Sequence, residues 1–403
     1  MKNSGRQPSI DLVIERQWHI GIHAQALEGW LDYRILGGFP RWRYEKLGIP
    51  LSRLICRPWP ALYNKLRQNL HANFLPRCSD SRFLAKWVSR RGDLARYVNC
   101  YATAYRWLFP ALAHAPHILI LERGSAHPEE ISQKVSRGFQ EAGLRSPAGL
   151  CAFSEEAKAG LHAHFVVAGS QMIFDSYKNR STPPERILKI PYGVDVDAFP
   201  LVQRPDREGP VRLALVGILG VRKGLGRLVR IADWAHRRGI SLEFHLVGPF
   251  EPEAKRILRN CRSPWIHHGV KKGADLVNVL HQADLYILPS YEEGFGISVL
   301  EAMATGLPAI ISTATGAKEA LTEDTDGVIL ETFSDQELDS RFHPILQDQG
   351  KRRKMGQAAS QKVRSSYSLK NYRDHLRTEY TRMFSIVDNA GQHLPSIGEL
   401  IYS

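Results

Sequence analysis

The apolar run Ala283–Leu288 enters a polar loop at Pro289, and Ile297–Thr305 follows with helical apolar spacing, closed by Gly306. A short apolar run, a loop with Gly294 and Gly296, and a helix ending at a glycine read as strand, glycine loop, helix. The first amides of such a helix have no carbonyl partner and carry the positive end of its dipole, which suits an anion. The glycines let a ligand approach the backbone. Two carboxylates frame the loop, Glu293 on it and Glu301 inside the helix. Carboxylates accept hydrogen bonds and fit ligand hydroxyls better than phosphates. The pattern calls for a ligand with an anionic middle and hydroxyls at both ends, the shape of a nucleotide sugar.

The 403 residues suffice for two domains of ordinary size. A hydrophobic share of 43% and a charged share of 24% belong to a globular protein. No apolar run is long enough to span a bilayer, and the N-terminus lacks the apolar core of a secretory signal. The expected location is the cytoplasm. Five cysteines are scattered without CxxC spacing, so neither a disulfide framework nor a metal site is expected. The Asp195/Asp197 and Asp324/Asp326 pairs sit at a hinge and before a strand, where neither suits a metal-bound donor. The net charge of +13 is concentrated between Arg41 and Arg106, where Trp42, Trp59 and Trp87 are interleaved. Basic and aromatic together suit an anionic membrane surface or an anionic acceptor, or are a solvated face. Nucleic acid is disfavoured, because no nucleic-acid motif accompanies the charge.

In chain order, Ile10–Ile14 reads as a strand, followed by a turn near Gly21 and a helix over His23–Leu31. This is how a Rossmann-like half begins, and His19 and His23 are structural or acceptor-facing. Helical spacing runs through Asp93–Leu108. His117–Leu121 is a buried strand that runs into a polar loop, Glu122 to Pro128. Gly149–Ser154 and His164–Ala168 are further strands, with a helix over Glu155–His162 between them. From Val211 to Leu330 one unit repeats: apolar run, turn, amphipathic helix. The runs are Arg212–Val216, Leu242–Val247, Trp265–His267, Asp284–Leu288, Ala309–Ile311 and Val328–Leu330. Such alternation predicts parallel βαβ units with right-handed crossovers. The first run ends in Gly217 and reaches Arg222-Lys223-Gly224 at the start of a helix over Leu225–His236, where a lysine suits a diphosphate. Lys351–Tyr367 and Leu369–Ile386 are helical and basic, and 387–403 reads as a loosely packed tail.

Glu293-x7-Glu301, with its EGFG core and EAMATGLP continuation, resembles the donor-site motif of retaining GT-B glycosyltransferases, in particular family 4. The resemblance implies that Glu293 contacts donor-sugar hydroxyls, that Glu301 contacts the ribose, and that amides around Gly294, Phe295 and Gly296 serve the sugar and diphosphate. Val216–Gly224 is similar to the family's GRL…KG segment, where an arginine and a lysine neutralise the leaving diphosphate. Lys223 matches the lysine, but Ile218 occupies the arginine's place, and Arg222 is the residue that could supply that charge. Pro191-Tyr192-Gly193-Val194-Asp195 resembles the interdomain NGVD signature, with Tyr192 in place of Asn and Gly193 as hinge. By the same resemblance His127 lies near the reaction centre and contacts the donor sugar, with Arg123 and Ser125 as neighbours. His267, His268 and Gly269 fall on a loop near the base, Gly316 on a loop facing the donor, and Glu319 reads as a helix-cap partner.

The expected fold is α/β, a GT-B arrangement of two Rossmann-like doubly wound domains facing across a cleft. The divisions are an acceptor-binding domain over 1–196, a donor-binding domain over 197–368, and a returning helix with tail over 369–403. The implied activity is metal-independent retaining transfer of a sugar from a nucleotide-sugar donor to an acceptor hydroxyl, in bacterial surface or exopolysaccharide assembly, without a separate cofactor. His127, Lys223 and Glu293 are the catalytic candidates. Arg222, Lys223, Glu293, Gly294, Phe295, Gly296 and Glu301 are the donor-binding candidates. The acceptor is a glycan or lipid-linked glycan, with peripheral contact to an anionic membrane. Two alternatives remain open: a non-catalytic GT-B partner subunit and a GT-B-type nucleotide-sugar epimerase.

Overall fold

The computed structural model describes residues 8–14, 20–37, 50–56, 80–101, 104–147, 152–391 and 394–402. His19, Trp42, Trp59, much of the basic stretch and residues 149–151 lie outside them. Two parallel sheets divide the chain. The first has the order β3-β2-β1-β4-β5-β6-β7, from β1 (Ser9–Ile14), β2 (Asp32–Gly37), β3 (Leu54–Cys56), β4 (Tyr97–Tyr101), β5 (Ile118–Arg123), β6 (Phe165–Ala168) and β7 (Ile187–Lys189). The second has the order β10-β9-β8-β11-β12-β13, from β8 (Val211–Val216), β9 (Leu242–Val247), β10 (Trp265–Gly269), β11 (Leu285–Leu288), β12 (Ala309–Ser312) and β13 (Gly327–Leu330).

Both sheets are doubly wound because every described ladder is parallel and each needs a crossover. The strand order reverses between β1 and β4 in the first sheet and between β8 and β11 in the second. A crevice opens at such a reversal, outside the carboxyl ends of the strands. In the second sheet it is walled by the loops after β8 and β11. The strands β11 and β12 are short apolar runs buried on both faces, while the edge strand β10 is mostly exposed.

The first half departs from several expectations. Tyr97–Tyr101 is a strand between β1 and β5, not part of a helix over Asp93–Leu108. All five of its residues are buried, so its side chains feed both faces and imitate helical spacing. The β2 and β3 strands were not foreseen. Ala152–Ser154 begin the helix Ala152–Gly160 and are not a strand. Glu122 and Arg123 end β5 and do not belong to the loop after it. The tail is docked: Ile397 is buried in the first domain's core, and the amides of Ile397 and Gly398 donate to the carbonyls of Ala163 and Leu161.

The helix Leu369–Asn389 lies on the first sheet. The Tyr380 hydroxyl accepts from Asn99 Nδ2 at 2.8 Å, and the Tyr372 hydroxyl meets His23 Nδ1 at 2.9 Å. His23 is therefore a buried structural residue. Tyr192 packs among Tyr372 and Phe295, and the Val194 amide donates to the Tyr367 carbonyl, which seats the 191–195 segment against the returning chain. One apolar cluster runs from the first sheet through this segment into the second domain.

Candidate active site

The loop after β8 and the loop after β11 meet through a pair of buried opposite charges. Lys223 Nζ donates to Glu293 Oε2, with Lys223 6% and Glu293 9% exposed. Arg222 Nη1 lies 3.0 Å from Glu292 Oε2 and 3.7 Å from Glu293 Oε2. Two cations and two carboxylates thus share one cluster, buried except for the Arg222 side chain, which is 33% exposed. Burial alone would raise the Glu293 carboxyl, but Lys223 and Arg222 outweigh it and hold it below the usual carboxylate range. Burial pulls the Lys223 ammonium below its ordinary value, with Glu293 acting against it. Burial also works against the charge on Arg222, but Glu293 and Glu292 more than compensate and raise it.

Backbone fit explains why this cluster forms. Gly224 caps the helix Leu225–Arg237 with φ +82°, and a Cβ there would lie 2.0 Å from the Pro289 carbonyl oxygen. Only glycine lets the two loops close to this distance. Arg227, in the first turn of that helix, donates to the Ser290 carbonyl at 2.9 Å and lies over the Tyr291 ring. These contacts fix the end of β11 and aim the next residues into the crevice.

Gly296 then opens the helix Ile297–Ala304 with φ +92° and no side-chain cap. Among the described residues, the amides of Gly294, Phe295, Gly296, Ile297 and Ser298 meet no protein acceptor. They form an array suited to an anion at the positive end of the helix. The Phe295 ring is buried edge-on to Tyr192, so that residue offers the crevice its amide alone. Glu301 follows one turn later. Burial pushes its carboxyl up to about 7, and among the described residues it has no hydrogen-bond or ionic partner.

The first domain closes over this loop. A Cβ on Gly294 would lie 2.0 Å from the Gly124 carbonyl oxygen. Ser170 Oγ donates to the Gly294 carbonyl at 2.6 Å, and the Ala126 amide donates to Glu292 Oε1 at 3.1 Å. Glu319, expected to be a helix-cap partner, accepts at 2.7 Å from the amide of Gln171, the first residue of the helix Gln171–Lys178, and pairs with Lys189 across the seam. Gly316 lies against Gly294 and Ser170 in the same seam.

His127 caps the helix Pro128–Glu141, its Nδ1 accepting from the Glu129 amide, and its ring meets Tyr177 edge-on. Burial, with Arg180 and Arg123 adding to it, lowers the ring to about 3, so it is neutral near pH 7. No described contact joins it to Lys223 or Glu293. Arg123 is committed elsewhere, to Glu156 at 3.3 Å and to the Tyr105 hydroxyl at 3.1 Å.

His267 stacks on Phe250 and meets the Gly248 carbonyl, while His268 stacks on His245, so both rings are spent on packing within the β9–β10 edge. Asp195 accepts from the Asp197 and Ala198 amides and Asp326 from the Thr322 amide, so each Asp pair serves a turn. Ile218 is 53% exposed and carries no charge into the cluster. Glu292 was missed in the sequence: it differs from Glu293 only in facing the other domain, and nothing in its spacing reports that.

Residues 201–362 match the sequence model of the family described as glycosyl transferases group 1. The chain is 24% identical over 297 residues to an alpha-D-kanosaminyltransferase of Streptomyces kanamyceticus, covering 69% of this chain and 74% of that one. It is 34% identical over 94 residues to the N,N'-diacetylbacillosaminyl-diphospho-undecaprenol alpha-1,3-N-acetylgalactosaminyltransferase of Campylobacter jejuni, 23% of this chain and 25% of that one. HepE of Anabaena, solved in complex with UDP and glucose, superposes with a TM-score of 0.67 at 15% identity, covering 92% of this chain and 99% of that one.

Proposed function

We propose, on the premise that residues 201–362 match glycosyl transferases group 1 and that the chain has the GT-B fold, that it moves a sugar from a nucleotide-sugar donor to an acceptor hydroxyl with retention at the anomeric carbon. The observation that carries this reading is the Lys223–Glu293 pair beside the unpartnered amides of 294–298 at the strand-order reversal. That crevice offers positive charge for a diphosphate, with a carboxylate on each side for hydroxyls.

In this reading donor binding exchanges counter-ions. Lys223 turns from Glu293 to the diphosphate, and Glu293 is released to accept from sugar hydroxyls. Glu301 accepts from the ribose. The bond between the anomeric carbon and the diphosphate oxygen breaks, and negative charge grows where Lys223 and the helix amides already point. Such preorganised stabilisation is commonly the largest part of a catalytic effect. The acceptor oxygen attacks from the face the diphosphate leaves, and its proton passes to a diphosphate oxygen. No metal enters this scheme. His127 uses Nδ1 for the cap, which puts the proton on Nε2 as a donor toward a sugar hydroxyl.

UDP is the first nucleotide to try, because HepE was solved with it. The Campylobacter relative's name specifies a diphospho-undecaprenol acceptor. For this chain we infer a glycan or lipid-linked glycan acceptor in bacterial glycan assembly, with the basic stretch 41–106 meeting an anionic membrane. The test is thermal denaturation with UDP, GDP and ADP and their sugars, on wild type and Glu301→Ala. A ligand at about a hundred times its Kd adds about 2.7 kcal/mol, a shift that the variant should lose. Nucleoside diphosphate released only when acceptor is present would separate a transferase from an epimerase. No shift with any nucleotide would overturn the reading and favour a non-catalytic subunit.

A further inference from the structure

We propose that Glu292 is a positioning residue, a clasp that holds the two domains closed and ties Arg222 to the closed state. Its side chain is 0% exposed and both carboxylate oxygens are used. Oε2 takes Arg222 Nη1 at 3.0 Å from its own domain, and Oε1 takes the Ala126 amide at 3.1 Å from the other domain. Arg222 Nη1 also donates to the Glu292 backbone carbonyl at 3.2 Å, so the guanidinium grips residue 292 through main chain and side chain together.

Other bonds cross the same seam, from the Tyr291 hydroxyl to Glu141 at 2.6 Å, from Ser170 to the Gly294 carbonyl and from Gln171 and Lys189 to Glu319, but none of them is made by a side chain that also binds the Arg222 or Lys223 side chain. Of these groups, only Glu292 joins a residue of the first domain to the cation cluster. Parting the domains exposes Oε1 to water, raises the local dielectric, and weakens the hold on Arg222. Closing them restores both. The clasp also separates the roles of the two cations. Arg222 is neutralised by Glu292 whenever the domains are closed, which leaves Lys223 as the cation free to exchange Glu293 for a diphosphate.

The test uses the full chain without ligand, by small-angle X-ray scattering on wild type, Glu292→Ala and Glu292→Gln, with a cooperative melt confirming that each is folded. Loss of one charge-assisted hydrogen bond should lower the closed-to-open ratio by roughly 10- to 100-fold. Glu292→Ala should show a larger radius of gyration. Glu292→Gln keeps an amide oxygen for Ala126 and should stay closed, although its NH2 group, a donor, replaces the oxygen that accepts from Arg222. Scattering from Glu292→Ala identical to wild type would overturn the clasp, as would opening of Glu292→Gln to the same extent.

Hydrogen exchange at the Ala126 amide needs no variant: it should be protected in wild type, and fast exchange would equally overturn the proposal. The kinetic arm rests on the transferase reading. There Glu292→Ala should raise the donor KM roughly tenfold with kcat little changed, and a fall in kcat with KM unchanged counts against a positioning role. Failure to bind any nucleotide removes the kinetic arm but leaves the scattering and exchange results standing, so the two readings fail separately.

Discussion

Lys223→Met removes one member of a buried ion pair and leaves the other in place. Glu293 is 9% exposed, so its carboxylate cannot recover its lost partner from water. Breaking a buried pair in this way costs roughly 3–5 kcal/mol, most of it the desolvated charge left behind. Arg222 remains 3.7 Å from Glu293 Oε2 and takes over part of the neutralisation. The lower end of the range, about 3 kcal/mol, is therefore expected. At roughly 2–4 °C per kcal/mol for a domain of this size, the second domain should melt about 6–12 °C lower. The double variant Lys223→Met/Glu293→Gln removes both charges and should recover most of that loss, because a pair replaced as a whole is often neutral. Transfer should be abolished in both. Differential scanning calorimetry beside a transfer assay separates the two effects. A single variant melting within about 1 °C of wild type, or a double variant no more stable than the single, would refute the coupling of these charges.

Three further outcomes follow from the buried groups. Burial raises the Glu301 carboxyl to about 7, above its unfolded value, so its ionisation costs stability as pH rises from the unfolded value toward 7. The ionised form is the better acceptor for ribose hydroxyls, so nucleotide affinity measured by calorimetry should rise through about pH 7 in wild type and lose that component in Glu301→Gln. Glu122, raised to about 8 by burial against the opposing hydrogen bond from Asn99, should make wild type lose stability as pH rises toward 8, a slope that Glu122→Gln removes in denaturant titrations. His127→Ala should lose about 0.5–2 kcal/mol of stability as an N-cap, whereas His127→Asn keeps the cap. Transfer rates in the stable Asn variant then report whether the imidazole itself is needed.

The second half of the chain was legible because its signals are local. The central strands β11 and β12 are short apolar runs, since both faces of a central parallel strand are buried, whereas the edge strand β10 is mostly exposed. The loop at Glu293–Gly296 and the helix after it lie within a few residues, so carboxylates, glycines and helix start could be read together. The first half resisted for the opposite reason. Tyr97–Tyr101 mixes Asn99 and Cys100 with aromatic residues, because it also serves the buried polar contacts to the helix Leu369–Asn389. That partner is distant in sequence, and no periodicity announces it. Arg123 looked like a loop residue near the site, yet it ends β5 and binds Glu156.

By itself the sequence determined the strand–loop–helix units of the second half, the glycine loop at Gly294–Gly296 ahead of a helix start, and the identity of the charged residues around them. These depend on backbone propensity, glycine permissiveness and burial on both strand faces, which are written within short stretches of chain. Only the tertiary structure decided how those charges are shared. It gave Lys223 to Glu293, gave Arg222 to Glu292, turned one oxygen of Glu292 to the Ala126 amide of the other domain, and spent His127 Nδ1 on a helix cap. A charge acts over its distance through space and through the dielectric between, and neither is fixed until the chain has folded.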